Sequence, residues 1–201
     1  MNSSPQIIIL AGPNGAGKST LAPYLLRDWL GLMEFVNADV IASGLSAFDP
    51  EHAAMEAGRV MLHRLRELAA QKKNFAFETT LATRSYAKWL RQLRQDGYRV
   101  NLIFVALDSA ELAVERVKAR VAAGGHSIPE ETIRRRYEKG IRNFFNLYQE
   151  LAETWIVYNN SISDEPVMLA RGKLKTEQII FENAQWIRFS EEGNEPTEDY
   201  P

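Results

Sequence analysis

"IIILAGPNGAGKST", residues 7–20, decides the fold. An unbroken apolar run, Ile7 to Ala11, leads into a glycine-rich turn, as a strand covered on both faces requires. Gly12, Gly17, Lys18 and Ser19 fit G-x-x-x-x-G-K-[ST] without mismatch. Glycines let consecutive backbone N–H groups turn inward and ring phosphates, and the following helix start adds the positive end of a dipole. Gly12, Pro13, Asn14, Gly15, Ala16, Gly17, Lys18, Ser19 and Thr20 are therefore the expected contacts to ATP. Lys18 reaches the β- and γ-phosphates as a point charge, and the Ser19 hydroxyl ligates the Mg²⁺ that comes with them. The alternative, a glycine turn matching by chance, would need neither the strand before it nor the helix after it.

The chain of 201 residues suits one domain with a sizeable core and a small appendage. Its 45% hydrophobic and 25% charged residues are those of an ordinary globular protein. A net charge of −2 argues against a general nucleic-acid coat, which needs a basic surplus, but allows a local phosphate site. With no cysteine, disulfides, zinc–thiolate sites and thiol nucleophiles are excluded. "MNSSPQ" carries no basic region, and no apolar stretch approaches the roughly 18 residues of a membrane span. A cytoplasmic protein that does not meet a membrane is expected.

Four more strand-like runs follow the first (6–12), at 33–39, 74–80, 98–108 and 154–161. Helix candidates at about 18–30, 50–72, 83–96, 109–123 and 129–152 alternate with them, which predicts a parallel sheet with right-handed crossovers. Pro23 removes one hydrogen bond inside the first helix, to the Ser19 carbonyl, and should bend it. Asp49-Pro50 reads as an N-cap and first position, and Asp108 with Glu111 and Ser127 with Glu130 read as capping boxes. After Ile162, "EPVMLARG" and "TEQIIFENAQWIRF" around "GKLK" read as a hairpin and a final strand. The expected division is residues 1–162 as the catalytic domain, 163–190 as a hairpin packed on it, and 191–201 as an acidic flexible tail.

In an open α/β sheet the ligand sits beyond the carboxyl ends of the strands, where Asp39, Glu78 and Asp108 fall. Asp39, in "VNAD", can accept the proton of an attacking hydroxyl or cap a short helix. Glu78, in "FETTLA", can organise the water shell of Mg²⁺ while Thr80 holds an acceptor; the alternative is a hydrogen-bonded loop turn. Asp108 reads as an N-cap in preference to a second metal acid. Residues 116–145 form a helical lid around the glycine hinge "AAGGHS", with eight basic against three acidic residues from Arg116 to Arg142. Arginines there would neutralise charge on a transferred phosphoryl; the alternative is a solvated helix face. His126 reads as a hinge residue, and His52 and His63 as helix-surface residues. No histidine or acid pair has metal-ligand spacing, so Mg²⁺ would arrive with the nucleotide.

"GPNGAGKST", "VNAD", "FETTLA", "GGHSIPEETIRRRY" and "YNNS", in that order, resemble the zeta toxins and their predicted-ATPase relatives from about residue 6 to 161. The resemblance implies a three-layer P-loop kinase fold whose five parallel strands run in the order 2-3-1-4-5. It implies Lys18 and Ser19 for ATP and Mg²⁺, Asp39 as the base, Thr80 near the acceptor, and Arg120 and Arg134 on the phosphates. Three adjacent arginines, Arg134, Arg135 and Arg136, allow a slip of one. Zeta toxins phosphorylate a hydroxyl of UDP-N-acetylglucosamine and are held inactive by a small antitoxin protein. This chain has no antitoxin segment and looks short for a full toxin, so kinase chemistry carries over better than toxicity or that acceptor.

The expected function is an ATP-dependent phosphotransferase acting on a hydroxyl of a small, phosphorylated or nucleotide-linked acceptor. A polynucleotide-kinase-like enzyme is the nearest alternative, opposed by the lack of a basic stripe interleaved with aromatics. An ATP-driven switch that controls a partner protein is the alternative from another class. It would need a water-orienting group but no acceptor pocket. A transporter ATPase is discarded for want of an "LSGG"-like signature.

Overall fold

The computed structural model describes residues 4–46, 50–162, 165–174 and 178–194. Asp49, and with it the proposed cap of the long helix, lies outside them. The strands are β1 (Gln6–Ala11), β2 (Phe35–Val36), β3 (Phe75–Thr79), β4 (Arg99–Ala106), β5 (Thr154–Asn159), β6 (Val167–Lys173) and β7 (Ile179–Ile180). The helices are α1 (Lys18–Ala22), α2 (Ala38–Leu45), α3 (Pro50–Ala70), α4 (Ser85–Gln95), α5 (Ala110–Ala122), α6 (Glu130–Asn143) and α7 (Asn183–Asn194).

All seven strands join one sheet in the order β2-β3-β1-β4-β5-β6-β7. The first five in that row are parallel, as expected, whereas β6 and β7 extend the sheet antiparallel. The expected five-stranded sheet therefore has seven, because the hairpin pairs edge-on with β5. Central β1 explains the unbroken apolar run: with β3 and β4 on either side and helices over both faces, Ile7 to Ala11 are all buried.

Pro23 marks the point where α1 widens into a π-helical stretch, Pro23–Trp29. Without an N–H at Pro23 the Ser19 carbonyl loses its ordinary partner, and the chain continues with longer-range bonds such as Leu32 N–H to Leu26 O at 2.8 Å. Helices α5 and α6 are rooted in the core by Ala113, Val114, Val117, Ile133, Tyr137 and Ile141. Residues 183–194 form α7, where a final strand was expected. Trp186 stacks on Trp155 at 5.7 Å between ring centres, and Phe189 packs on Phe104, Phe144 and Phe145. Residues 191–194, assigned to the tail by sequence, belong to this helix, while 195–201 lie outside the described residues. Among the described residues, no helix is long and apolar enough to cross a membrane.

Candidate functional site

The phosphate loop is clamped between the ends of β4 and β5. Gly12 has φ 138, and a Cβ there would stand 2.1 Å from the Val105 carbonyl oxygen. At Gly17, with φ 82, a Cβ would meet the amide nitrogen of Asn160, which itself donates to Ala16 O at 2.9 Å. Only glycine tolerates both conditions, so the spacing in the motif is a steric requirement of this packing.

Lys18, buried at the start of α1, donates through Nζ to Pro13 O at 2.7 Å and lies 3.6 Å from Glu78 Oε1. Burial holds its ammonium below the ordinary lysine value, opposed by the charges of Glu78 and then Asp39. Ser19 Oγ donates to Glu78 Oε2 at 2.9 Å, and Asn37 Nδ2 donates to the same oxygen at 2.7 Å. A hydroxyl and a carboxylate this close are hard oxygen donors, the set that fits Mg²⁺ shared with phosphates.

Asn37 is the residue sequence reasoning missed. Besides holding Glu78, its Oδ1 accepts from the N–H groups of Asp39 (2.7 Å) and Val40 (3.4 Å), making it the N-cap of α2. Its signal was present, an asparagine just after a strand and before a helix. Asp39 is thus inside the first turn, and the capping alternative for it is overturned. Ser109, not Asp108, caps α5 by accepting from Leu112 N–H, and α6 starts without a side-chain cap, so neither expected capping box forms. Asp108 accepts from Asn159 Nδ2 at 2.7 Å.

Thr80 follows Glu78 on a loop pinned to α6. A Cβ at Gly140 would come within 2.4 Å of Thr80 O, Asn143 Nδ2 donates to Leu81 O at 2.7 Å, and buried Leu81 adopts φ 56. A left-handed leucine is strained, and this loop, next to Glu78, holds it in place.

Across Asp39 lies a cavity of about 480 Å³ lined by Asp39, His126, Thr132, Arg135 and Arg136 among others. Thr80 and Arg134 are not in its lining. Arg134 instead pairs with Glu111 and, at 2.9 Å, with Glu130, on the surface. That pairing reflects its place on α6: residue i reaches Glu130 at i−4 and turns away from the cavity faced by Arg135 and Arg136. Arg120 binds the hinge, donating to His126 O at 3.1 Å, while its Nε is buried without a partner. Its positive charge adds, as the smallest cause, to the lowering at Lys18. His126 Nε2 lies 3.7 Å from Asp39 Oδ2, so the residue read as a hinge also faces the candidate base.

A family profile described as "AAA domain" matches residues 7–140. An uncharacterised protein of Haemophilus influenzae is 31% identical over 130 residues, covering 65% of this chain and 91% of that protein. In structure, the AvrRxo1-ORF1:-ORF2 complex crystallised with ATP is similar with a TM-score of 0.75 at 16% identity, over 98% of this chain and 67% of that one. The PezAT chromosomal toxin-antitoxin system of Streptococcus pneumoniae is similar with a TM-score of 0.61 at 16% identity, over 96% and 87%. At these identities the likeness is one of fold alone.

Proposed function

The chain belongs to the AAA domain family, and from that premise and the geometry around Asp39 we propose that it is an ATP-dependent phosphotransferase acting on a hydroxyl of a small acceptor. The observation that carries the reading is that Asp39 sits on the boundary of two compartments. Its carboxylate lines the cavity, and two residues before it Asn37 donates to Glu78, which joins Ser19 and buried Lys18 of the phosphate loop. A carboxylate so placed can take a proton from a hydroxyl on one side while phosphates are held on the other. A nucleotide switch would have no use for the second compartment.

Mg²⁺ and ATP, once bound, supply the electrophilic phosphoryl group. Residues 12–20 then hold the phosphates, Lys18 giving up the Pro13 carbonyl to do so, and Ser19 with Glu78 holds the cation or its waters. Asp39 receives the acceptor's proton. The acceptor oxygen bonds to the γ-phosphorus, and the bond to the bridging oxygen breaks with ADP leaving. Arg120 directs its unpartnered Nε–H toward the developing charge. Thr80 belongs in this reading as a residue that orients the Glu78 loop, with any acceptor contact through its hydroxyl. Arg136, and not Arg134, lines the cavity beside Asp39, on the acceptor's side of it.

The finer reading is zeta-toxin-like: a phosphorylated or nucleotide-linked acceptor such as UDP-N-acetylglucosamine, a cytoplasmic setting, and an antitoxin-like protein partner. It is supported by the ordered motifs, and by structural relatives that are themselves a two-protein complex and a toxin-antitoxin system. The test is incubation with γ-labelled ATP and a metabolite extract, then identification of the labelled compound. Label on an organic acceptor is expected; label found only as free phosphate would overturn the reading in favour of a switch.

A further inference from the structure

Arg135 and Arg136 face the cavity, and neither guanidinium makes a hydrogen bond or ion pair with a described residue. Arg136 is partly buried, and burial pushes it below its ordinary value, with Asp39 opposing the effect and Arg135 adding to it. Arg135 is exposed, but a guanidinium partly withdrawn from water, as that of Arg136 is, is ordinarily paired. The same helix shows that pairing was within reach, because Arg134, one residue earlier, takes two carboxylates. Here the one carboxylate in the lining is Asp39, which His126 also approaches. The cavity therefore carries a cationic surplus of two arginines against one acid.

Part of the lining is small and apolar. Ala38 and Ala42 from α2 and Ala54 from α3 each contribute a methyl group where a larger side chain would fill the space. No residue of the phosphate loop lines the cavity, so it is a compartment of its own.

We propose that this cavity is a second anion site, in which Arg135 and Arg136 hold the phosphate of a small phosphoester whose body packs on Ala38, Ala42 and Ala54 and whose hydroxyl reaches Asp39. The assignment rests on the phosphotransferase reading and adds the acceptor's class to it. Two unpaired guanidiniums match a phosphate monoester, which carries nearly two negative charges at neutral pH, better than a carboxylate, which carries one.

Calorimetric titration tests this without turnover. The full chain, saturated with Mg²⁺ and a non-hydrolysable ATP analogue, receives inorganic phosphate, glycerol 3-phosphate, glycerate or glycerol. Inorganic phosphate and glycerol 3-phosphate should bind with the phosphate loop filled, glycerate more weakly and glycerol not at all. Arg135→Ala and Arg136→Ala should each weaken phosphate about tenfold or more, as for loss of one charge-assisted partner. Arg136→Lys, which keeps the charge, should recover part of the loss, and melting curves report whether each variant folds. Ala42→Leu should weaken glycerol 3-phosphate while sparing inorganic phosphate. Lys118→Ala, on a surface pair with Glu130, should change nothing.

The proposal is overturned if phosphate merely displaces the ATP analogue, if the folded Arg135→Ala/Arg136→Ala double variant binds it like the parent, or if glycerol binds as well as its phosphate. Failures of the two readings separate cleanly. Arginine-dependent phosphate binding with no labelled acceptor leaves the anion site standing and removes the kinase. Labelling of an uncharged acceptor that survives Arg136→Ala does the reverse.

Discussion

The phosphate loop and the cavity across Asp39 handle charge in opposite ways. In the loop, Lys18 rests on the Pro13 carbonyl near Glu78, and Ser19 and Asn37 both bind Glu78, so the charged groups find partners in the chain itself. In the cavity, two guanidiniums stand without a partner among the described residues. The loop is assembled mainly from one short stretch whose glycines are sterically dictated. The cavity draws on α2, α3, the hinge turn and α6, which meet only after folding. A preformed polar network suits a ligand shared by a whole fold family, whereas unpaired charge in a cleft of distant segments suits a ligand particular to this chain.

Asp39 stands between the two regions, and its removal should have the largest effect. Asp39→Asn keeps size and a helical first turn, so Mg·ATP should still bind while transfer falls by about two to four decades. Calorimetry and transfer from labelled ATP measure the two quantities separately. Parent-like transfer would return Asp39 to a residue of a helix start and remove the link between the compartments.

Lys18→Ala breaks the comparison from the loop side. Losing the charge on the β- and γ-phosphates should lower turnover by about two to three decades and weaken ATP as well. Ser19→Ala should act similarly through the cation, and raising Mg²⁺ should rescue it in part. If both variants turn over Mg·ATP like the parent, the loop does not serve phosphates.

Arg120 tests the border from the lid. Arg120→Ala should lower turnover about tenfold to a hundredfold while changing ATP affinity much less, the pattern of an interaction made mainly in the transition state. Equal losses in both would make Arg120 a support for the hinge through His126 O, with no contact to the transferred group.

The same contrast explains what could be read from the sequence. The apolar run, the glycine spacing and the five parallel strands depend on local periodicity and sterics, and all are present, although the strand expected over 33–39 shrinks to Phe35–Val36 because α2 starts at Ala38. Glu78 and Asp39 were legible because strand ends are a topological rule. Asn37 was legible only as a helix cap; its bond to Glu78 was not, since it spans 41 positions. The choice among three arginines was illegible for a similar reason: facing depends on the rotation of α6, which Tyr137, Gly140 and Ile141 set by their burial in the core. In "TEQIIFENAQWIRF" the isoleucines and aromatics suggest a strand. Ile179 and Ile180 do form a strand, but packing of Trp186 and Phe189 against Trp155, Phe144 and Phe145 makes its second half helical. The clearest sign of that helix was the spacing of Trp186, Phe189 and Gly193 along one face.

Gly140→Ala probes how firmly α6 sets the loop beside Glu78. Alanine favours a helix interior over glycine, but the new Cβ would meet Thr80 O at 2.4 Å, so the packing conflict should win. A net loss of about 1–3 kcal/mol is expected, read as a melting temperature lower by about 2–4 °C per kcal/mol for a chain of this size. A rise in melting temperature would mean that the Thr80 loop yields freely, and that α6 does not position it.

The smallest effect should come from Arg134, and it is the sharpest check on the two regions because its neighbours in sequence belong to the cavity. Its guanidinium is on the surface, bound to Glu111 and Glu130, which are themselves exposed and can return to water when it is lost. Such pairs are screened by salt and contribute little. Arg134→Ala should therefore leave the melting temperature near the parent's and transfer within about twofold, with any difference vanishing at high ionic strength. Arg136→Ala, measured beside it, should raise the acceptor concentration needed for half-maximal transfer about tenfold or more, since its partner would be the substrate. If Arg134→Ala showed the larger loss, α6 would present a different face to the phosphates during turnover. The cavity geometry would then describe a resting state, and Glu111 and Glu130 would be groups that hold Arg134 back until substrate draws it in.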